Sequence, residues 1–188
     1  GGLHSGATQL RYQHGDSQSC ARQLARAVEG KTLLVTDGVF SMDGDIAPLA
    51  ELSRLAEQQQ ALFMVDDAHG FGCIGPGGAG SVAAAGLTQT DVPVYMATLG
   101  KAIGVAGAFV AGSKELISYL RQFARGYVYS TAIAPAQAAA VVVALDCLRD
   151  EPWRQTKLQD NIDYFRQCAA QCSLPVAESV TAIQWLAQ

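Results

Sequence analysis

Short apolar runs alternate with segments of helical pattern along the chain, and this alternation constrains the fold more than any other feature. Residues 32–36 and 61–65 form apolar, β-branched runs that are typical of strands, and 94–98 and 108–111 show the same character. Between the first two, Pro48 precedes leucines at helical spacing. Alternating β and α elements predict an α/β fold, with a mostly parallel sheet and helices on both faces.

The second half of the chain is predominantly helical in pattern. Ser113 is expected to cap one helix, and Pro135 opens an Ala/Val-rich helix to about residue 148. Because that helix is apolar on nearly all sides, we expect it to be buried. A longer polar-faced helix follows at 153–172, and residues 181–186 are expected to begin another strand.

Composition excludes several classes of protein. The 188 residues include 13 Lys plus Arg and 17 Asp plus Glu, so the net charge of −4 gives no general attraction to nucleic acid or anionic membranes. A hydrophobic content of 49% with 16% charged residues excludes a disordered chain, and no apolar run is long enough to span a bilayer. The cysteines lack metal-ligand spacing, which predicts reduced thiols in a cytoplasmic protein and no metal site.

Reactive side chains follow the predicted strands. In parallel sheets, ligands bind at the carboxyl ends of strands. Asp66 and His69 follow the strand at 61–65, Lys101 follows the strand at 94–98, and hydroxyl groups follow in the segment 127–131. Each has an ordinary structural explanation when taken singly, but together they provide an acid, an imidazole, an amine and hydroxyls.

Pyridoxal phosphate (PLP) requires such a set of side chains. An amine must condense with its aldehyde, and a carboxylate must keep the pyridine nitrogen protonated. A hydrogen-bond donor suits the ring oxygen, while hydroxyls or backbone N–H groups suit the phosphate. The strand ends therefore predict PLP as the cofactor.

Four motifs carry a resemblance to a known family. The segments TDGVFSMDGD (36–45), VDDAHGFG (65–72), TLGKAIG (98–104) and YSTAIAPAQA (129–138) occur in this order. Together they resemble the α-oxoamine synthases, PLP enzymes with the large aspartate aminotransferase-like fold. The resemblance implies that residues 1–180 are part of the PLP-binding large domain, incomplete at both ends, and that 181–188 begin a C-terminal small domain.

The resemblance assigns the catalytic roles to three residues. It implies that Lys101 forms the Schiff base with PLP, that Asp66 pairs with the pyridinium nitrogen, and that His69 bonds the ring oxygen and helps to polarise the intermediate. The implied reaction is a decarboxylative condensation of L-alanine with pimeloyl-CoA, or pimeloyl-acyl carrier protein, in biotin biosynthesis. The alternative within the family uses glycine and acetyl-CoA, and no residue in the chain decides the acyl donor.

The resemblance also assigns further cofactor contacts and a partner. Ser41 would bond the ring oxygen and Thr98 would contact the phosphate. Ser130 and Thr131 would reach the phosphate in a neighbouring subunit, which implies a homodimer. Asp67 follows Asp66 directly, and adjacent strand residues point to opposite faces, so we expect it to orient the loop.

Two hypotheses from other functional classes compete with this interpretation. The run GFGCIG at 70–75 fits a dinucleotide-binding GxGxxG motif, but Pro76 and the following glycines would interrupt the required helix. The second hypothesis is a non-catalytic fragment. The chain begins at Gly1 without Met and ends within an apolar run, and neither His4 nor His14 lies in the motif for the family's ring-stacking histidine. We therefore expect the middle of a longer enzyme, with weak or no activity when isolated.

Overall fold

A four-stranded mixed sheet organises the computed structural model, which describes residues 5–27 and 30–186. The strands follow chain order as neighbours: β1 (Leu33–Asp37), β2 (Leu62–Asp66), β3 (Val94–Thr98) and β4 (Ala108–Ala111). β1, β2 and β3 run parallel, whereas β4 is antiparallel to β3. The prediction of a mostly parallel sheet is confirmed.

Seven α-helices lie in the described part of the chain. They are α1 (Ser17–Leu24), α2 (Leu49–Gln58), α3 (Ser81–Ala84), α4 (Lys114–Phe123), α5 (Arg125–Val128), α6 (Pro135–Asp150) and α7 (Trp153–Gln171). None of them has the length and apolar character that a membrane span requires.

Local capping chemistry sets several helix starts. The hydroxyl of Ser113 accepts a hydrogen bond of 3.2 Å from the Leu116 N–H, which confirms it as the N-cap of α4. Asp16 caps α1 in the same way by accepting 2.8 Å from the Ser19 N–H. α1 is an element without a sequence-based prediction, although Asp16 provides its start signal.

The core lies on one face of β1 and β2. Leu34, Phe63 and Val65 are buried and pack with the buried leucines of α2. Leu33 and Leu62 on the opposite face are 52% and 43% exposed. Within the described residues, this second face is less closely covered than the core face.

Two expectations about the second half of the chain are wrong. No residue of α6 is buried, and Val143 is 61% exposed. An apolar helix is buried only where other elements pack on it, and the described chain leaves most of α6 exposed. Residues 181–186 form no strand: a single bridge joins Val176 to Leu186, while the hydroxyls of Ser179 and Thr181 each donate to the carbonyl of Gly44.

Candidate active site

The carboxyl ends of β1, β2 and β3 meet at one edge of the sheet. Asp37 and Asp66 are the last residues of β1 and β2 and are direct register partners. The Gly38 N–H donates 2.7 Å to the carbonyl of Asp66. Paired residues of neighbouring strands point to the same face, so the register brings the two carboxyl groups together.

His69 and Lys101 come into direct contact at this edge. The Nε2 atom of His69 lies 2.7 Å from Nζ of Lys101. His69 is half-buried in the turn after β2, whereas Lys101 is exposed in the turn after β3. An ammonium group can only donate, so His69 accepts through a neutral Nε2 in this arrangement.

Burial and charge favour that neutral imidazole. Burial is the largest cause that lowers the pKa of His69, and the positive charge of Lys101 lowers it further. The carboxylates of Asp37 and Asp66 act in the opposite direction. The structure thus brings Asp66, His69 and Lys101 together, as the strand ends predicted.

Asp37 belongs to the same cluster, although the sequence analysis assigned it no role. Burial raises its pKa, and the neighbouring charge of Asp66 raises it further. His69 and Lys101 partly offset this rise. Its position as the last residue of β1, beside the end of β2 in a parallel sheet, is the signal that could have identified it.

Thr98 holds the turn that carries Lys101. Its hydroxyl donates 3.1 Å to the carbonyl of Gly107 and accepts 3.1 Å from the Gly100 N–H. Asp66 acts similarly after β2, since its Oδ1 accepts 3.1 Å from the Ala68 N–H. Local side-chain bonds to the backbone therefore shape both turns of the site.

The remaining predicted site residues lie in exposed turns and connections. Ser41 is exposed in the turn that follows β1. Ser130 and Thr131 lie in the exposed connection between α5 and α6, where the Ser130 hydroxyl donates 2.5 Å to the carbonyl of Gly126. No described contact joins these three residues to Lys101, and their predicted cofactor contacts remain predictions.

His14 lies beside the loop that follows β1. Its Nε2 is 2.8 Å from Oδ2 of Asp45, and its ring centroid is 4.1 Å from that of Phe40. These contacts give His14 a structural role in fastening the start of the chain to this loop. His4 lies outside the described residues.

Comparisons with known proteins agree with this arrangement. The family model for aminotransferase class I and II matches residues 4–187. An 8-amino-7-oxononanoate synthase from Pseudomonas savastanoi pv. phaseolicola is 54% identical over 183 residues, which cover 97% of this chain and 46% of that protein.

Solved structures show the same fold. A serine palmitoyltransferase from S. paucimobilis, with PLP and myriocin bound, has a TM-score of 0.89 and 26% identity, covering 95% of this chain and 47% of that chain. An 8-amino-7-oxononanoate synthase from Francisella tularensis has a TM-score of 0.77 and 30% identity, covering 94% of this chain and 51% of that chain.

These findings confirm the predicted fold and the resemblance on which it was based. The chain spans about half the length of the curated relatives it matches. The family match includes the glycine-rich run at 70–75. The helix that follows this run, α3, has only four residues, whereas a dinucleotide-binding unit requires a long helix there. The dehydrogenase hypothesis is therefore wrong, and the chain belongs to the aminotransferase class I and II family.

Proposed function

We propose that this chain forms the cofactor-binding part of a PLP-dependent acyltransferase with the activity of an 8-amino-7-oxononanoate synthase. The proposed reaction condenses L-alanine with pimeloyl-CoA or pimeloyl-acyl carrier protein. The 54% identity to a relative of that name supports this activity. The observation that carries the proposal is the 2.7 Å contact between His69 and Lys101 at the strand ends, beside Asp66.

The donor set at this edge fits PLP. Lys101 is an exposed amine, Asp66 is a carboxylate at the end of β2, and His69 can donate to the ring oxygen. Ser41 would support the same oxygen, and Thr98 would contact the phosphate. The solved serine palmitoyltransferase of the same fold holds PLP, which supports the assignment.

When bound, PLP supplies an electron sink for negative charge that develops at the α-carbon of an amino acid. The chain must then provide a base, and Lys101 is the amine placed for this role. A neutral His69 accepts a hydrogen bond from the Lys101 ammonium, so proton exchange between them needs no intervening group. Uncharged Lys101 can then remove the α-proton of L-alanine.

The proposed reaction joins the two substrates and releases a thiol and carbon dioxide. A carbon–carbon bond forms between the α-carbon of L-alanine and the thioester carbonyl carbon, and the carbon–sulfur bond breaks to release the thiol. The bond to the original carboxylate then breaks, carbon dioxide leaves, and a proton takes its place on the α-carbon. Lys101 and His69, which are in direct contact, would carry these protons.

The proposed partner is a second copy of the chain. Ser130 and Thr131 would approach the neighbouring subunit's cofactor. The neighbouring helices α4, α5 and α6 and the α5–α6 connection carry exposed apolar side chains: Phe123 (61%), Tyr127 (62%), Tyr129 (79%), Val142 (59%) and Val143 (61%). Several large apolar side chains exposed on neighbouring elements are typical of an interface, which supports a homodimer.

Domain assignment and location are also proposals. Residues 1–180 would belong to the large PLP-binding domain and 181–188 would begin the small domain. The described cysteines are all free thiols, which supports a cytoplasmic location because reducing compartments disfavour disulfides.

Borohydride trapping tests the cofactor assignment. The protein is incubated with PLP, reduced and digested, and the labelled peptide is mapped. We expect the label on Lys101, its loss in Lys101→Met, and its retention in Lys114→Met, which changes an exposed lysine at the start of α4. Labelling at another residue, or no labelling, would contradict the proposal.

A substrate comparison tests the activity. The protein as the cell makes it is assayed with L-alanine and pimeloyl-CoA, and then with glycine and acetyl-CoA. We expect faster release of CoA with the first pair. A preference for glycine and acetyl-CoA would keep the PLP chemistry but replace the proposed activity with that of the alternative family member.

A further inference from the structure

Asp67 is a completely buried acid directly behind the candidate site, and the proposed chemistry does not use it. Its exposed fraction is 0%. Its Oδ2 accepts 2.7 Å from the Ser81 N–H at the start of α3 and 2.7 Å from the Tyr95 hydroxyl on β3. One oxygen atom therefore connects the end of β2 to two other elements.

Three glycines enclose this carboxyl group. A Cβ atom added at Gly38, Gly70 or Gly80 would overlap the carboxyl oxygens of Asp67. At Gly80 the added atom would also lie 2.6 Å from the Tyr95 hydroxyl oxygen. The side chain of Asp67 thus fills the space where the end of β1, the turn after β2 and the approach to α3 converge.

The backbone of Asp67 shapes the turn that carries His69. Its carbonyl accepts 3.2 Å from the Gly70 N–H and 3.0 Å from the Phe71 N–H, which closes the turn around His69. Its own N–H donates 2.7 Å to the carbonyl of Met96 on β3. Movement of Asp67 would therefore move His69 relative to the strand that leads to Lys101.

We propose that Asp67 is a positioning residue that sets the contact between His69 Nε2 and Lys101 Nζ. Its carboxyl group, fixed by Ser81 and Tyr95 and enclosed by glycines, holds the His69 turn against β3. The inference rests on the proposed function in one respect: that function gives the contact between His69 and Lys101 a role in catalysis. The test therefore follows His69 in protein without PLP, independently of Lys101 labelling.

Charged groups around Asp67 and His69 shift the pKa of each, and these electrostatic effects differ from an effect of position. Burial raises the pKa of Asp67, while hydrogen bonds from Ser81 and Tyr95 lower it, and the charge of Asp66 raises it. Cys73 is a further titratable group that faces Asp67. The groups that act on His69 are Lys101, Asp37 and Asp66, so Asp67 acts on His69 through position.

The experiment is an NMR titration of the histidine C2–H signals, with His69 assigned by its loss in His69→Asn. In Asp67→Ala the turn loses its support, so we expect the pKa of His69 to rise towards its ordinary value as burial and the Lys101 contact weaken. Asp67→Asn retains an oxygen acceptor and the packed shape, and we expect it to titrate like the unchanged protein. The signal of His14 serves as an internal reference.

Two further variants keep the test decisive if Asp67→Ala does not fold. Tyr95→Phe removes one donor to Oδ2, and we expect a smaller shift in the same direction. Ser53→Ala is the matched control, because it removes a buried hydroxyl that donates 3.1 Å to the Asp91 carbonyl, and we expect no shift. An unchanged His69 pKa in Tyr95→Phe, or an equal shift in Ser53→Ala, would overturn the proposal.

Discussion

Nζ of Lys101 and Nε2 of His69 lie 2.7 Å apart at the carboxyl edge of the sheet. Since the ammonium can only donate, the contact requires an imidazole that is neutral and accepting. Burial and the lysine charge both favour this state by lowering the pKa of His69. The pKa of His69 therefore depends on the charged groups around it. Titration of His69 in variants of those groups measures how much each one shifts this pKa.

The charge of Lys101 can be tested by removing it. In Lys101→Met we expect the pKa of His69 to rise, because one of the two causes that lower it is gone while burial remains. The measurement is the NMR titration of the His69 C2–H signal. Lys114→Met removes an exposed charge elsewhere and should leave the titration unchanged; a fall in the His69 pKa in Lys101→Met would contradict the assignment.

The charge of Asp37 acts on His69 in the opposite direction. Because the Asp37 carboxylate raises the pKa of His69, Asp37→Asn should lower it further. The same NMR titration measures the shift. Asp160→Asn, which removes an exposed carboxylate on α7, is the control. If both variants give the same titration, Asp37 does not belong to the electrostatic cluster.

Features determined by local sequence were predictable. β3 and β4 have the predicted bounds, and Ser113 caps α4 as predicted, because strand periodicity and capping depend on neighbouring residues. Asp66, His69 and Lys101 were also predictable as a group, since the carboxyl ends of parallel strands meet. Their distances and protonation were not, because these depend on turn geometry.

Features determined by tertiary partners were not predictable. An apolar pattern indicates that α6 prefers burial, but it does not identify what would cover that helix. Asp37 was missed because its importance comes from its register with Asp66 across the sheet. Asp66 and Asp67 are chemically identical neighbours in the sequence. Only the burial and the hydrogen bonds of Asp67 in the structure distinguish it from Asp66, which lies at the site.

Asp67 should make stability depend on pH. Its pKa is raised in the folded protein, so the folded state binds more protons than the unfolded state above about pH 4. Its contribution to the free energy of unfolding therefore falls as pH rises from there through the raised pKa, by at most about 1.4 kcal/mol per pH unit.

Asp67→Asn removes this titration. The free energy of unfolding of the variant, relative to the unchanged protein, should therefore rise with pH across that window. Urea unfolding at several pH values measures the difference. Asp160→Asn should show no such trend, and a relative stability of Asp67→Asn that falls with pH would contradict the sign of the shift.

The N-cap of α4 should contribute measurably to stability. Ser113→Ala removes the acceptor for the Leu116 N–H, so we expect the free energy of unfolding to fall by about 1 kcal/mol. Urea unfolding checks the value. Ser113→Asp also provides an acceptor and should retain most of the stability, whereas equal losses in both variants would show that capping is not the cause.

The exposed apolar surface of α6 predicts how self-association responds to charge. Val142 and Val143 are 59% and 61% exposed, so the double variant Val142→Asp/Val143→Asp should change the free energy of unfolding of a single chain only slightly, within about 0.5 kcal/mol. In the proposed homodimer, the same carboxylates would lose water without gaining partners, which costs several kcal/mol.

Sedimentation should therefore show monomers for this variant and dimers for Thr156→Asp, which places charge on the exposed surface of α7. Dimers of equal stability in both variants would show that α6 is not in the interface, because two unpaired carboxylates cannot be buried there without weakening association.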